Sequence, residues 1–201
     1  YRMHRDSKEH YDALREALIS GTNVIDTSAN YMDGSAESLI GDVLRDLISA
    51  GRLRRSDALI VTKAGYIQGK NSLMSAEIDF PEQTVFDRSL SHCIHPEFLE
   101  NQLELSLLRM GLETVDVILL HNPEYFLKKQ KQEGVSQKEA QEEYYRRIHA
   151  AFDYLEQART DGKIQYYGIS SNTFPIYGQY ESTDLNRIHC EKYPGFKVIQ
   201  F

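Results

Sequence analysis

Four residues able to share the work of a proton transfer stand at or just beyond the ends of short apolar runs in this chain. Asp26 closes Val24-Ile25-Asp26, and Tyr31 follows five positions later. Lys63 closes Leu59-Ile60-Val61-Thr62-Lys63, and His121 closes Val117-Ile118-Leu119-Leu120-His121. A phenol, with a reference pKa of about 10, can give a proton to a developing alkoxide but is poorly tuned alone. A neighbouring ammonium favours phenolate and lowers that pKa, and a carboxylate can hold the ammonium in place. Tyr31, Lys63 and Asp26 supply those groups, and His121 could hydrogen-bond a carbonyl oxygen as charge builds on it. The set has no nucleophile paired with a base and no metal cage. It suits carbonyl reduction, in which an external cofactor brings the hydride and the protein brings the proton.

Periodicity says which elements must position these groups. Apolar stripes, Gly stops and a Pro at a first helical position predict helices over Glu9 to Ser20, Ser35 to Ala50, Pro96 to Met110 and about Gln141 to Asp161. A weaker helical pattern spans Thr183 to Lys192. Between them lie runs suited to buried parallel strands: Val24 to Thr27, Ala58 to Thr62, Val115 to Leu120, Gln165 to Ile169 and Lys197 to Phe201. Five βα-type steps permit either a doubly wound sheet or a closed barrel. A nucleotide-binding doubly wound domain should carry a G-x-G-x-x-G turn after its first strand, and the chain has none. Its polar residues are spread over several strand ends instead, as in a β/α barrel. Two connections interrupt the alternation. Residues 66 to 95 carry no helical stripe and are expected to shape a substrate site, while the Lys-, Gln- and Glu-rich residues 123 to 140 are expected to be a solvated flank of the fourth helix.

Composition narrows the function class. A length of 201 residues with 41% hydrophobic content suits one domain, 1–201, with a sizeable core. A net charge of −7 argues against a nucleic-acid partner, and Arg52, Arg54 and Arg55 are read as capping a helix end. Cys93 and Cys190 are the only cysteines, so a reducing, cytoplasmic setting is expected. No apolar run approaches the roughly 20 residues needed to cross a bilayer. His92, Cys93 and His95 lack a partner pair at zinc-site spacing and are not read as ligands, and His189-Cys190 reads as surface or packing.

The motifs in order resemble the aldo-keto reductases. They are Asp26-x4-Tyr31 with Gly34 and Ser35-Ala36-Glu37, the Thr62-Lys63 strand end, Leu119-Leu120-His121-Asn122-Pro123, and Gly162-Lys163-Ile164-x3-Gly168-Ile169-Ser170-Ser171-Asn172. Each motif alone is moderately specific; four in sequence at strand ends are strong. The resemblance covers nearly the whole chain and implies a (β/α)8 TIM-type barrel that reduces small aldehydes or ketones with a nicotinamide cofactor, usually NADPH, with NADH left open. It implies that Asp26, Tyr31, Lys63 and His121 are the catalytic tetrad, with Tyr31 as general acid. Ser171, Asn172 and Gln200 match the residues that hold the nicotinamide carboxamide, with the doubled Ser170-Ser171 offering two hydroxyls for the first of these places, and Asp26 is counted in both groups. The family's first strand is expected before Tyr1 and its last two after Phe201, so the chain is expected to be a piece truncated at both ends that frays or recruits another chain. Oligomeric state is not readable.

Taken singly, Tyr31 is one of 13 tyrosines, Lys63 an ordinary strand-end lysine and His121 a core histidine. Their coincidence in order carries the reading. Two other classes survive: a non-catalytic, nicotinamide-binding regulatory subunit, and an inactive truncated remnant.

Overall fold

The computed structural model describes residues 8–69, 78–188 and 191–201. Within them, strands β1 (Val24–Asp26), β2 (Leu59–Ala64), β6 (Val115–His121), β7 (Ile164–Ser170) and β8 (Phe196–Gln200) form one sheet in the order β1-β2-β6-β7-β8, and every pairing is parallel. Each strand pairs with the next large strand in the chain. The order never reverses, so the sheet has no doubly wound switch point and its strands follow one another like the staves of a β/α barrel.

The strand period of two sorts this sheet into two faces. Ile25, Ile60, Ile118, Leu120, Tyr167 and Ile169 face a helical layer formed by α1 (Lys8–Ile19), α2 (Ser35–Ser49), α3 (Pro96–Met110) and α5 (Gln137–Thr160), and all are nearly or fully buried. The other face carries Val61, Val117, Leu119 and the partly buried Val198. Moving along that face toward the strand C-termini, the side chains turn polar: Asp26, Lys63, His121, Ser170 and Gln200.

The helices start and stop as their sequences demand. In α3, Pro96 sits in the first turn, the His95 side chain accepts from Glu97 N, and Gly111 closes the helix at φ 64°. Ser136 caps α5 by accepting from Glu139 N. A side chain at Gly168 would place its Cβ 1.8 Å from the Val198 carbonyl oxygen, at the register shift between β7 and β8. Only glycine lets those strands approach there.

The structure corrects or adds to four of the expectations. Residues 123 to 140 are a solvated flank only in their second half, where 131 to 139 are almost all exposed; the first half contains a helix of its own, α4 (Tyr125–Gln132), which buries Phe126 and Leu127 in the main core. The connection from 66 to 95 contains a small antiparallel sheet of β3 (Tyr66–Ile67), β5 (Ser91–His92) and β4 (Thr84–Val85). The weak helix near 183 to 192 reduces to α6 (Leu185–Ile188), and His189-Cys190 lies outside the described residues. Arg55 does not cap a helix end: it reaches Asp116 at 2.6 Å, the Ala58 carbonyl at 2.6 Å and the Thr114 carbonyl at 3.2 Å. No described helix is long and apolar enough to cross a membrane.

Candidate active site

Lys63 is the hinge of the site. β2 delivers it to the inner face with 2% of its side chain exposed, and a buried ammonium must find acceptors. It finds them in Asp26 Oδ2 and the Thr27 carbonyl oxygen, each at 2.8 Å. The same ammonium lies 5.2 Å from the centre of the Tyr31 ring. Tyr31 reaches that place because the chain beyond β1 continues to zip along β2: Thr27 N donates to Val61 O at 2.8 Å and Ala29 N to Lys63 O at 3.0 Å. Tyr31 N then closes a turn on Ser28 O, and the ring, 41% exposed, faces the open side. Met32 and Asp33 follow with φ 55°, an unusual conformation for residues with side chains, before Gly34 opens α2.

His121, in register with Ser170 of β7, is buried and edge-on to Tyr31, with ring centres 6.0 Å apart. Burial, then the Lys63 charge, then His92 push its pKa down to about 3, so its imidazole is neutral at ordinary pH. Its Nδ1 lies 3.1 Å from Ser28 Oγ. His92 Nε2 donates to the His121 carbonyl oxygen at 2.7 Å and fixes the backbone behind the ring. A Cβ on Gly65 would collide with both partners, at 2.6 and 2.7 Å, so glycine is required where β2 passes into β3. Tyr66 stands against His121 with ring centres 4.7 Å apart, and its hydroxyl accepts from Asn122 Nδ2 at 2.8 Å. Tyr125 and Phe86 extend this aromatic wall. The 66 to 95 connection therefore supplies part of the lining around His121.

At the next strands, Ser170 Oγ donates to Gln200 Oε1 at 2.9 Å and Gln200 Nε2 donates to Asp26 Oδ1 at 3.2 Å. Ser171 points the other way. Its hydroxyl is buried and donates to Glu124 Oε2 at 2.8 Å, with Thr173 and Thr183 beside it. Glu124, itself fully buried, also accepts Asn172 N at 3.2 Å, and burial raises its pKa. The structure thus brings Asp26, Tyr31, Lys63, His121 and Gln200 to one rim, sets the exposed Asn172 at the adjoining turn, and puts Ser171 behind the strand.

Sequence reasoning missed Ser28, Tyr66 and Glu124, and between the adjacent Ser170 and Ser171 it favoured Ser171. For Ser170 a signal existed: counting by two along β7 from Gly168 puts it, and not Ser171, on the inner face. His92, Cys93 and His95 serve three separate purposes: His92 holds His121, Cys93 is buried with its thiol 3.4 Å from the Pro81 carbonyl, and His95 caps α3. Among the described residues no group of His, Cys, Asp and Glu has a metal-binding arrangement.

This rim presents a proton-bearing phenol, a buried ammonium and a neutral imidazole, with a hydroxyl and two side-chain amides beside them. The hydroxyl and amides are the donors and acceptors that a nicotinamide carboxamide requires. Known proteins resemble the chain in sequence and in fold. The chain is 30% identical over 111 residues to the NADH-specific methylglyoxal reductase of Escherichia coli, covering 55% of this chain and 30% of that one. It is 29% identical over 119 residues to a putative voltage-gated potassium channel subunit beta of Schizosaccharomyces pombe, covering 59% of this chain and 29% of that one. The chain therefore spans about 30% of the length of these curated relatives. A silkworm (Bombyx mori) aldo-keto reductase solved with NADPH superposes with a TM-score of 0.53 at 26% identity, over 84% of this chain and 40% of that one. The glycerol dehydrogenase of Gluconobacter oxydans superposes with a TM-score of 0.56 at 21% identity, over 86% and 41%, and shows the shared fold. The model of the Aldo/keto reductase family matches residues 4–200, and the chain belongs to that family.

Proposed function

We propose that this chain carries the proton-transfer site of an NAD(P)H-dependent oxidoreductase that reduces a small aldehyde or ketone to an alcohol, with Tyr31 as the general acid. The observation that carries this reading is the placement of Lys63, held by Asp26 and Thr27, 5.2 Å from the Tyr31 ring on the rim that also holds His121. A nicotinamide cofactor held at this rim would supply the hydride for the carbonyl carbon. Tyr31 gives its phenolic proton to the carbonyl oxygen as negative charge develops there. Lys63 stabilises the phenolate left behind, and Asp26 orients Lys63. His121, being neutral, holds the oxygen by a hydrogen bond and adds no charge of its own.

Asn172, Gln200 and a serine would hold the carboxamide of the cofactor, and that serine is Ser170 in preference to Ser171, whose hydroxyl is spent on Glu124. Both nicotinamide coenzymes fit these groups, and they occur separately in the names of the relatives: NADH with the Escherichia coli enzyme, NADPH with the silkworm structure. A cytoplasmic setting goes with this reading. The test is to incubate the protein with NADPH or NADH and small carbonyls, beginning with methylglyoxal, and to follow coenzyme absorbance. Carbonyl-dependent coenzyme oxidation that disappears in Tyr31→Phe is the expected result.

A second reading is favoured by the potassium-channel relatives of Schizosaccharomyces pombe and Oryza sativa. In that case the site binds a nicotinamide coenzyme and serves regulation. Tight coenzyme binding with no carbonyl turnover across the panel would select it.

A further inference from the structure

The parallel ladder between β6 and β7 stops just before Asn172. Its last bond runs from Asn122 N to the Ser170 carbonyl oxygen at 2.7 Å, and the next would carry Asn172 N–H to the Asn122 carbonyl. That rung is missing because the chain turns away: Asn122 takes φ 51°, and its carbonyl accepts Tyr125 N at 3.1 Å instead. Asn172 N–H donates to Glu124 Oε1 at 3.2 Å. A side-chain oxygen from the loop beyond His121 stands in for the lost carbonyl.

Glu124 is fully buried, and taking a carboxylate out of water is costly unless donors meet it. Two converge on it, Asn172 N–H at one oxygen and the Ser171 hydroxyl, at 2.8 Å, at the other. A carboxylate offers an oxygen to each, where an amide has one oxygen to share. The neighbouring residues are tied by main chain alone, Ser170 O to Asn122 N and Ser171 N to Gln200 O at 2.9 Å. At Asn172 the tie depends on a side chain.

We propose that Glu124 is a positioning residue for coenzyme binding, which replaces the missing ladder rung and so sets the backbone from which Asn172 meets the nicotinamide carboxamide. The inference rests on the reading of Asn172 as a carboxamide ligand. Buried with Ser171 behind the strand, Glu124 works through Asn172. A purely structural role predicts something different, since losing a buried acceptor would then cost the same whatever side chain stood at 172.

The test is a double-mutant cycle read by coenzyme fluorescence, with NADPH and NADH each titrated into wild type, Glu124→Gln, Asn172→Ala and the double variant. Glu124→Gln is expected to weaken binding about five- to tenfold, the worth of one hydrogen bond, and to raise the coenzyme KM by the same factor with kcat near wild type. Asn172→Ala is expected to weaken binding at least as much, and adding Glu124→Gln to it should cost nothing more. Unchanged affinity in Glu124→Gln, or an equal loss with and without Asn172, overturns the proposal. A second measurement needs no change at Glu124. In wild type labelled with nitrogen-15 asparagine, the Asn172 backbone amide, assigned by its loss in Asn172→Ala, should exchange slowly with solvent although the residue is exposed; fast exchange overturns the proposal too. Wild type that binds neither coenzyme overturns the carboxamide reading and the proposal with it. The predicted affinity changes in a protein that turns over no carbonyl support the proposal while overturning the assigned reaction.

Discussion

A charged pair lies beside each end of β2, and the two pairs are built for opposite purposes. Near its start, Asp116 is closed: Oδ2 accepts Arg55 Nη2 at 2.6 Å and Ile60 N at 2.8 Å, and Oδ1 accepts Gln165 Nε2 at 3.0 Å. Side-chain exposures of 31% for Arg55 and 13% for Asp116 leave little room for another molecule. At the far end, Lys63 is 2% exposed but its partner Asp26 is 43% exposed, and the Tyr31 ring beside them is open. The first pair ties three strands and a turn together. The second holds a charge in readiness at an accessible rim, where barrels place chemistry. An ion pair thus points to function by what it leaves open and to stability by what it closes.

Substitutions at the two ends should separate these roles. Lys63→Met should lower turnover by about 10² to 10⁴, the range of a general-acid contribution, because it removes the charge beside Tyr31. Its chemical denaturation should stay close to wild type. A near-normal rate, with an unchanged pH profile, would show that the ammonium does not tune the phenol. Asp116→Ala should do the reverse. It leaves Arg55, Ile60 N and the Gln165 amide without their acceptor, so urea unfolding should show a loss of about 2 to 3 kcal/mol while the folded fraction keeps its turnover. Asp26→Asn should cost less than Lys63→Met, about tenfold in turnover, since Thr27 O still holds the ammonium. Equal losses in the two variants would contradict that order.

A further test concerns pH. Burial depresses His121 to about 3 and His92 to about 4 in the folded chain, against about 6.5 when unfolded. The unfolded chain therefore binds more protons between those values. The stability held by the neutral rings is fully present above about 6.5 and is lost as pH falls toward 4. Thermal midpoints measured from pH 7.5 to 5 should fall, and His121→Gln should flatten part of that fall. An identical slope in the variant would show that His121 titrates normally.

The five strands and the long helices were legible because their apolar residues repeat over whole turns or pleats. Val115 to Leu120 and the Leu99, Leu103 stripe of α3 leave little choice. α4 was not legible: Phe126 and Leu127 are its only buried residues, and the Lys-Lys-Gln-Lys-Gln run that follows has no apolar face. Strands of two residues, as in β3, β4 and β5, are too short to show a period. In the site, Asp26, Tyr31, Lys63 and His121 could be picked out because strand ends announce themselves. Ser28 and Glu124 could not. Their partners, His121 and the 171 to 172 turn, are distant in sequence, and only the sheet's register brings them together.

Whether the open end of β2 is a proton-transfer site with Tyr31 as its acid is decided by titrating wild type and Tyr31→Phe with NADPH, following coenzyme fluorescence, and then measuring carbonyl reduction by the same samples. Equal coenzyme affinity is expected, with a loss of turnover of about 10² to 10⁴ in Tyr31→Phe. Near-wild-type turnover in that variant would contradict the role of Tyr31 as the acid.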